Sequence, residues 1–329
     1  MKISICIPTY NRCEELIRLL SSIELALVEI PSKEDIEVVI SDNGSTDGTE
    51  IAVREAQLHM SYLKYSRNDK NVGFAANLNR SVEMSSGRYC WLMGSDDSIL
   101  PESISEILKY IDNAPSIMVG NPITYSVERE FFCFKESRDY ILTIKDDYIK
   151  YISQCRELSA AFAFMSTLII EREFWEKVQC TRYEQEHAYT HMLRIVRGLA
   201  TQGGTVKCLN IPLVITGHAG NEWNVTVLPH FELDIKTIEY IVKNIFNESL
   251  EIFERYGEIF RNQYSIISLI KSRIECSRER WSEISPTLAG FGYPKALLYK
   301  TSLDPLMLKI YLLIKKYKIT NNSLLSRLL

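Results

Sequence analysis

Apolar residues in the amino-terminal third of the chain fall into short runs, and each run ends in a polar turn followed by helical spacing. Residues 2–7, KISICI, read as a buried first strand that Pro8 stops. Leu16, Leu19, Leu20, Ile23 and Leu27 then recur at helical spacing over residues 14–30. IEVVI at 36–40 is a β-branched second strand, ended by SDNGSTDGTE. Residues 61–65 form a weaker strand, 68–73 a polar loop and 74–84 a helix. YCWLM at 89–93 is apolar and aromatic, and Gly94 closes it. Ser98 then reads as the N-cap of a helix over 101–111. Four strands alternating with helices predict a mostly parallel sheet.

Beyond this unit the pattern loosens. A strand is expected at 117–119, and irregular or β structure at 121–145, with FFCF at 131–134 as its apolar strand. Residues 146–156 read as helix. FAFMSTLII at 162–170 contains a strand that re-enters the sheet, and a short helix follows over 171–178. CLNIPLVIT at 208–216 is a further strand, and a glycine-bearing loop follows it. From Phe231 the texture is helical, with Ile238, Val242 and Ile245 at helical spacing, until residues 286–294 break it. The fold class is therefore α/β with a carboxyl-terminal helical extension. The expected domains are 1–225 and a helical region 226–329 with a basic, apolar tail.

Ligands of open α/β sheets bind where strands end at their carboxyl edge. The turns there offer Thr9, Tyr10 and Arg12, then Asp42, Asn43 and Ser45, then Asn71 and Gly73, then Asp96 and Asp97. Two adjacent carboxylates repel each other unless a cation or hydrogen-bond donors hold them. Hard oxygen donors suit Mg²⁺ or Mn²⁺, which often complete their shell with substrate phosphates. The plainer readings are a solvated Ser-Asp-Asp turn, an Asx turn at Asp42 and a simple turn at 71–73. For Asp47 the plainer reading is preferred, as a carboxylate in the first turn of a helix. Neither a G-x-G-x-x-G fingerprint nor a phosphate loop occurs, so any nucleotide must be held differently.

Composition narrows the field modestly. The 329 residues are 46% hydrophobic, ample for a large core, and the net charge of −4 argues against a general nucleic-acid binder. The eight cysteines form no C-x-x-C pair, which suits reduced thiols in a cytoplasmic protein better than a zinc site. MKISICIPTYNR lacks the longer apolar core of a secretory signal, and no run reaches the length of a membrane span. The tail carries Lys309, Lys315, Lys316, Lys318 and Arg327 among leucines and isoleucines. Such a helix can lie on an anionic membrane surface, or pack on its own domain with lysines outward.

ICIPTYNR, VISDNGSTDGT, NVGFAANLNRSV and WLMGSDDSILPESI, in that order, resemble the successive motifs of the family 2 glycosyltransferases with their Rossmann-like GT-A fold. CIPTYNR, YCW--GSDD and the stretch FMSTLIIEREFW resemble, more narrowly, the abequosyltransferase group of O-antigen clusters. The resemblance implies a nucleoside diphosphate sugar donor, a polyisoprenoid-linked glycan acceptor and a Mn²⁺ or Mg²⁺ ion. It implies that Asp42 accepts from the base and that Thr9, Tyr10 and Arg12 line the nucleotide pocket beside Asn43. It sets Asn71 and Gly73 against the nucleoside, Asp96 at the ribose or in support of the site, and Asp97 on the ion. A CDP-linked 3,6-dideoxyhexose such as CDP-abequose is the narrow donor expectation, with UDP- or dTDP-sugars the wider field. The work is expected at the cytoplasmic face of the inner membrane, as a peripheral protein.

Residues 183–197 lie where the family places its acceptor-side chemistry, but the family's Glu-Asp pair and Q-x-x-R-W are not matched. Glu184 and Glu186 are the nearest carboxylates for a base, and the choice between them stays open, as does the stereochemical outcome. His187 and His191 lie four apart, and His191 is a candidate metal or diphosphate contact. Asn221 and Trp223 are candidate lid contacts to the sugar or diphosphate. Two rival functions remain: a non-catalytic nucleotide- or glycan-binding module on the same fold, and a sugar nucleotidyltransferase. The second wants a glycine-rich, basic loop after the first strand, and IPTYNR is not one.

Overall fold

The computed structural model describes residues 1–28, 30–123, 133–136, 139–142, 145–217, 228–300 and 304–317. Contacts divide the chain into two compact units, Met1–Ala219 and Gly220–Leu329.

The first unit opens with Ile3–Thr9 (β1), Cys13–Ala26 (α1), Ile36–Asp42 (β2), Thr49–Ala56 (α2), Leu63–Arg67 (β3), Phe74–Glu83 (α3) and Tyr89–Leu92 (β4). These four strands are parallel in the order β3-β2-β1-β4. The expected parallel unit is therefore present, each strand ending within two residues of its expected carboxyl limit. Alternation explains the packing. Ile3, Ile5 and Ile7, Ile36, Val38 and Ile40, and Tyr89, Trp91 and Met93 join one buried cluster with Leu16, Leu19, Leu20 and Ile23 of α1. Each such aliphatic side chain contributes about 1.5–3 kcal/mol on burial. The other sheet face carries Ser4, Cys6 and Ser41, and α3 packs over β1 and β2 there.

The chain continues through Ser98–Ile99 (β5), Ser103–Ile111 (α4), Ile117–Ile123 (β6), Asp139–Leu142 (β7), Lys145–Ile152 (α5), Leu168–Glu171 (β8), Arg172–Lys177 (α6), Arg182–Glu186 (α7), Thr190–Gln202 (α8) and Gly204–Ile215 (β9). The sheet extends past β4 as β8-β6-β9-β5, with β7 also on β9. β8 runs antiparallel between β4 and β6, so 168–171 does re-enter the sheet as expected.

Ser98 does not cap a helix. It pairs with Ile215, and Ile99 pairs with Val214, in an antiparallel bridge to β9. Leu100 precedes Pro101 and so avoids helical backbone, which keeps 98–100 out of the helix, and α4 starts at Ser103. Of the expected FFCF strand, 131–132 lie outside the described residues, and Phe134 makes an isolated bridge to Cys155.

The second unit is helical: Leu228–Asn244 (α9), Leu250–Gln263 (α10), Ile266–Glu275 (α11), Arg278–Gly290 (α12), Lys295–Tyr299 (α13) and Asp304–Tyr317 (α14). Phe231, Phe260, Tyr264, Phe291 and Tyr293 form its aromatic centre, with Phe260 and Tyr264 at 4.6 Å between ring centroids. The expected break at 286–294 is corrected. α12 runs through Pro286 to Gly290, and the turn comes at Gly292 with φ +88°. Trp281, Ile284 and Leu288 are buried along one face, which holds both halves despite the amide that proline lacks. In α14, Met307 is buried and Ile310 packs with Ile267 of α11, whereas Leu306, Leu308, Lys309 and Leu312 are exposed. No described helix is long and apolar enough to cross a membrane.

Candidate active site

The carboxyl ends of β1, β2 and β4 are tied to one another by the turn after β1. Thr9 and Asp42 are register partners, and the Asn43 amide donates to Thr9 O (2.9 Å). Asn11, at φ +51°, donates its amide to Ser45 Oγ (2.9 Å) and accepts from the Thr46 amide at Oδ1 (2.8 Å). Its neighbour Arg12 forms an ion pair with Asp96. One short turn thus holds the loop after β2 with one residue and the loop after β4 with the next. Asp42 and Asp97 therefore share one edge of the sheet.

Asp42 is fully buried. Its Oδ1 accepts from the Ser45 amide (2.9 Å) and its Oδ2 from the Tyr65 hydroxyl (2.7 Å), with Arg67 Nε 3.8 Å away. Burial and the Asp42 hydrogen bond push the Tyr65 hydroxyl well above its ordinary pKa, so it stays a donor. The loop after β3 is pinned by amides. Asn43 Nδ2 donates to Asn71 Oδ1 (2.9 Å) and Gly73 O (3.3 Å), and Asn43 Oδ1 accepts from the Val72 amide (2.9 Å) and Asn68 Nδ2 (3.1 Å). Asn77, on the buried face of α3, donates to Ser41 O (2.8 Å) and accepts from Ser41 Oγ (2.8 Å) and Asn68 Nδ2 (3.0 Å). Position 44 calls for glycine twice over, because its φ is +79° and a Cβ there would lie 3.0 Å from Lys70 backbone. Gly73, with φ +91° at the start of α3, has no atom within 4 Å of where a Cβ would stand. Tyr10, Asn71 and Gly73 are exposed, and buried Thr9 Oγ1 has no hydrogen-bond partner.

Asp97 is 5% exposed. Its Oδ1 accepts from the Gly217 amide (2.7 Å) and its Oδ2 from the Ser166 hydroxyl. Burial first, and the Asp96 carboxylate second, raise its pKa to about 7 despite those donors. The paired carboxylates are thus under-compensated by protein cations, with Arg12 paired to the outer one.

The acceptor-side expectations are redrawn. Glu184 is fully buried in a capping box with Thr181, whose amide donates to Oε2 (2.7 Å). Arg197 Nε also donates to both oxygens (2.6 and 2.8 Å), so Glu184 anchors α7 to α8 and presents no free oxygen as a base. Glu186 is exposed and pairs with Arg182 on its own helix (2.8 Å). His187 and His191 do not share a helix, because α7 ends at Glu186 and α8 begins at Thr190. Burial lowers the His191 pKa to about 4, so the ring is neutral; its Nε2 lies 3.0 Å from Ala163 O and Nδ1 has no partner. Among the described residues no three His, Cys, Asp or Glu side chains gather as a metal-binding set. Asn221 and Trp223 lie outside the described residues.

The sequence reading missed Asn68, Asn77, Tyr65, Arg67 and Ser166. Asn77 carried a signal: a polar residue beside Leu78, Ser81 and Val82 on the buried face of a helix. Ser166 sits inside the FMSTLIIEREFW stretch that carried the narrower resemblance.

A sheet in this order, with paired aspartates after β4 and a polar rim shared by β1 and β2, defines the class as a GT-A-type α/β protein. Residues 4–178, just over half of the chain, match the model described as Glycosyl transferase family 2. The chain belongs to that family, and it spans less than two thirds of the length of the curated relatives it matches. It is 30% identical to abequosyltransferase RfbV of Salmonella typhimurium over 223 residues, covering 65% of this chain and 66% of that one. A crystal structure of Staphylococcus aureus TarS residues 1–349 in complex with UDP-GlcNAc aligns with TM-score 0.60 and 20% identity, over 93% of this chain and 86% of that one. Mannosyltransferase PcManGT of Pyrobaculum calidifontis, in complex with GDP-Man and Mn²⁺, aligns with TM-score 0.55 and 16% identity, over 93% and 85%. These two structures share the fold.

Proposed function

We propose that this protein is a glycosyltransferase that moves a sugar from a nucleoside diphosphate donor to a polyisoprenoid-linked glycan during bacterial surface polysaccharide synthesis. A CDP-linked 3,6-dideoxyhexose is the first donor to test, since an abequosyltransferase relative is 30% identical over 65% of the chain. The observation that carries the reading is the Asn11–Arg12 turn, which holds Asp42 and the Asp96–Asp97 pair on one edge. On this reading Asp42, set by Ser45 and Tyr65, holds the base beside Asn43, and Asn71 and Gly73 border the nucleoside. Thr9, whose hydroxyl lacks a partner, Tyr10 and Arg12 line the nucleotide, and Asp96 supports the ribose side.

The residues fit a Mn²⁺ or Mg²⁺ ion at Asp97. A buried carboxylate beside a second one, raised to a pKa of about 7, is in the electrostatic state that a cation relieves. When bound, the ion neutralises charge on the leaving diphosphate as a Lewis acid. The chain's own part would be to hold that ion at Asp97 and to orient the base at Asp42. The exposed Leu306, Leu308 and Leu312 beside Lys309 support peripheral attachment to an anionic inner-membrane surface, at the cytoplasmic face.

One observation favours a second reading. Glu184 is consumed by Arg197, which a non-catalytic nucleotide-binding module would tolerate. A panel of CDP-, UDP- and dTDP-sugars, with Mn²⁺ and with EDTA, separates the two. Metal-dependent donor hydrolysis or transfer that disappears in Asp97→Ala is expected. Nucleotide binding without turnover of any donor selects the module.

A further inference from the structure

The residue that holds Asp97 comes from a distant part of the chain. Ser166 lies in a single 3₁₀ turn, Met165–Thr167, just before β8, and is 1% exposed. Its carbonyl accepts from Nε1 of the fully buried Trp91 (2.8 Å). Its Oγ accepts from the Gly94 amide (2.9 Å) and donates to Asp97 Oδ2. A serine hydroxyl has one proton. With Gly94 N–H already pointing at the oxygen, that proton is committed to the carboxylate.

The surroundings leave little freedom. Thr167 Oγ1 donates to Phe164 O (2.9 Å) and closes the turn. Upstream, buried Phe162 is held at φ +74°, an uncommon conformation for a bulky residue, with its ring stacked 5.0 Å from that of Tyr151. At Gly94 a Cβ would lie 2.8 Å from Asp97 Oδ2 and 3.3 Å from Ser166 Oγ, so the turn after β4 is built around this contact. The far oxygen of Asp97 is held by the Gly217 amide. The carboxylate is therefore gripped from both sides, while each oxygen keeps one lone pair.

We propose that Ser166 is the positioning residue that orients Asp97 for a divalent cation arriving with the donor's diphosphate. This rests on the metal reading above. Partners of a metal-ligating carboxylate commonly carry 10–100-fold in metal affinity. A hydroxyl that merely satisfied a core contact would cost stability and leave metal affinity alone.

The test is calorimetric. Mn²⁺ is titrated into the full chain saturated with CDP or UDP, whichever wild type binds, and the nucleotide is titrated separately in EDTA. Ser166→Ala is expected to weaken Mn²⁺ binding about 10–100-fold, with nucleotide affinity in EDTA within about twofold of wild type. Ser166→Cys, a weaker donor of similar size, is expected to fall between the two, and it carries the test if the alanine variant fails to fold. Asp97→Asn should abolish the Mn²⁺ effect. Unchanged Mn²⁺ affinity in both Ser166 variants, with loss in Asp97→Asn, overturns the role of Ser166 and leaves the site reading intact. A wild type whose nucleotide complex takes up no Mn²⁺ overturns both.

Discussion

Glu37 and Asp97 lie at opposite ends of the same parallel strands, both nearly devoid of solvent, at 1% and 5% exposure. Burial alone would raise both pKa values. At Glu37 the opposing forces win. Lys64 Nζ lies 2.5 Å from one oxygen, and the Ser4 hydroxyl, the Ser86 amide and the Ser86 hydroxyl donate to the other, which brings the carboxyl down to about 2. At Asp97 two donors face a neighbouring carboxylate, and the group rises to about 7. The amino edge of the sheet is electrostatically complete, whereas the carboxyl edge is left under-compensated, the state that the proposed cation would relieve. On the proposed reading, function and stability are separated by the length of a strand.

The sharpest way to break this contrast is Asp97→Asn. We expect transfer to fall by about a thousandfold or more, since charge on the leaving group goes uncompensated. The same variant in EDTA at pH 7 should be as stable as wild type, or more stable by about 1–3 kcal/mol, because a buried charge beside a like charge is removed. Urea melts decide it. A clear loss of stability in Asp97→Asn would mean that the carboxyl edge was already balanced.

Glu37→Gln should behave oppositely, keeping the donor KM and losing about 3 kcal/mol at pH 7, because Lys64 and the Ser4 and Ser86 donors lose their shared anion. Its pH dependence has a definite sign. A carboxyl near 4.5 when unfolded and about 2 when folded adds stability above pH 4.5, and that contribution is lost as pH falls toward 2. The acid limb of wild-type stability between those pH values should therefore flatten in Glu37→Gln. A superimposable limb would remove Glu37 from the account.

Which of these regions could be read from sequence follows from range. The parallel strands and the loops after β1, β2 and β4 were legible, because period-two runs and the acids behind them are local signals. Asp42, Asp96 and Asp97 stood out for that reason. Ser166 and Glu184 were not legible. A serine within an apolar run and a glutamate near a family motif take their meaning from partners at Asp97 and Arg197, which no local pattern encodes. Ser98 misled because a good cap residue before a proline was overridden by strand pairing with Ile215. Lys64 and Glu37, the pair that sets the amino edge, left no motif at all.

Asn77→Ala lies between the two edges in expected size. It leaves Ser41 Oγ and Asn68 Nδ2 without their acceptor, and about 1–2 kcal/mol should follow. Because Asn68 also holds Asn43, nucleotide affinity should weaken as well, by about three- to tenfold. Calorimetry with CDP or UDP, beside urea melts, reads both. A loss of stability with unaltered affinity would separate the amide network from the base pocket.

The smallest effect is expected at Asp47, whose carboxylate serves two helix starts. Oδ2 accepts from the Cys13 amide (3.1 Å) at the head of α1, and Oδ1 from the Thr49 amide (3.0 Å) and hydroxyl (2.5 Å) at the head of α2. Burial works against the charge, but the Thr49 and Cys13 donors lower its pKa from the usual value. Asp47→Asn keeps one acceptor oxygen and turns the other into a donor, so one helix start is lost and the charge that favours both dipoles disappears. About 0.5–1 kcal/mol should be lost, as for an ordinary N-cap. Since α1 follows Arg12 directly, the variant also loosens the turn that joins the loops after β1 and β2 from behind. A rise in donor KM of about two- to threefold with unchanged kcat is expected. A fall in kcat instead would place Asp47 in the reacting site, and the division between a stabilising edge and a ligand-completed edge would have to be redrawn around it.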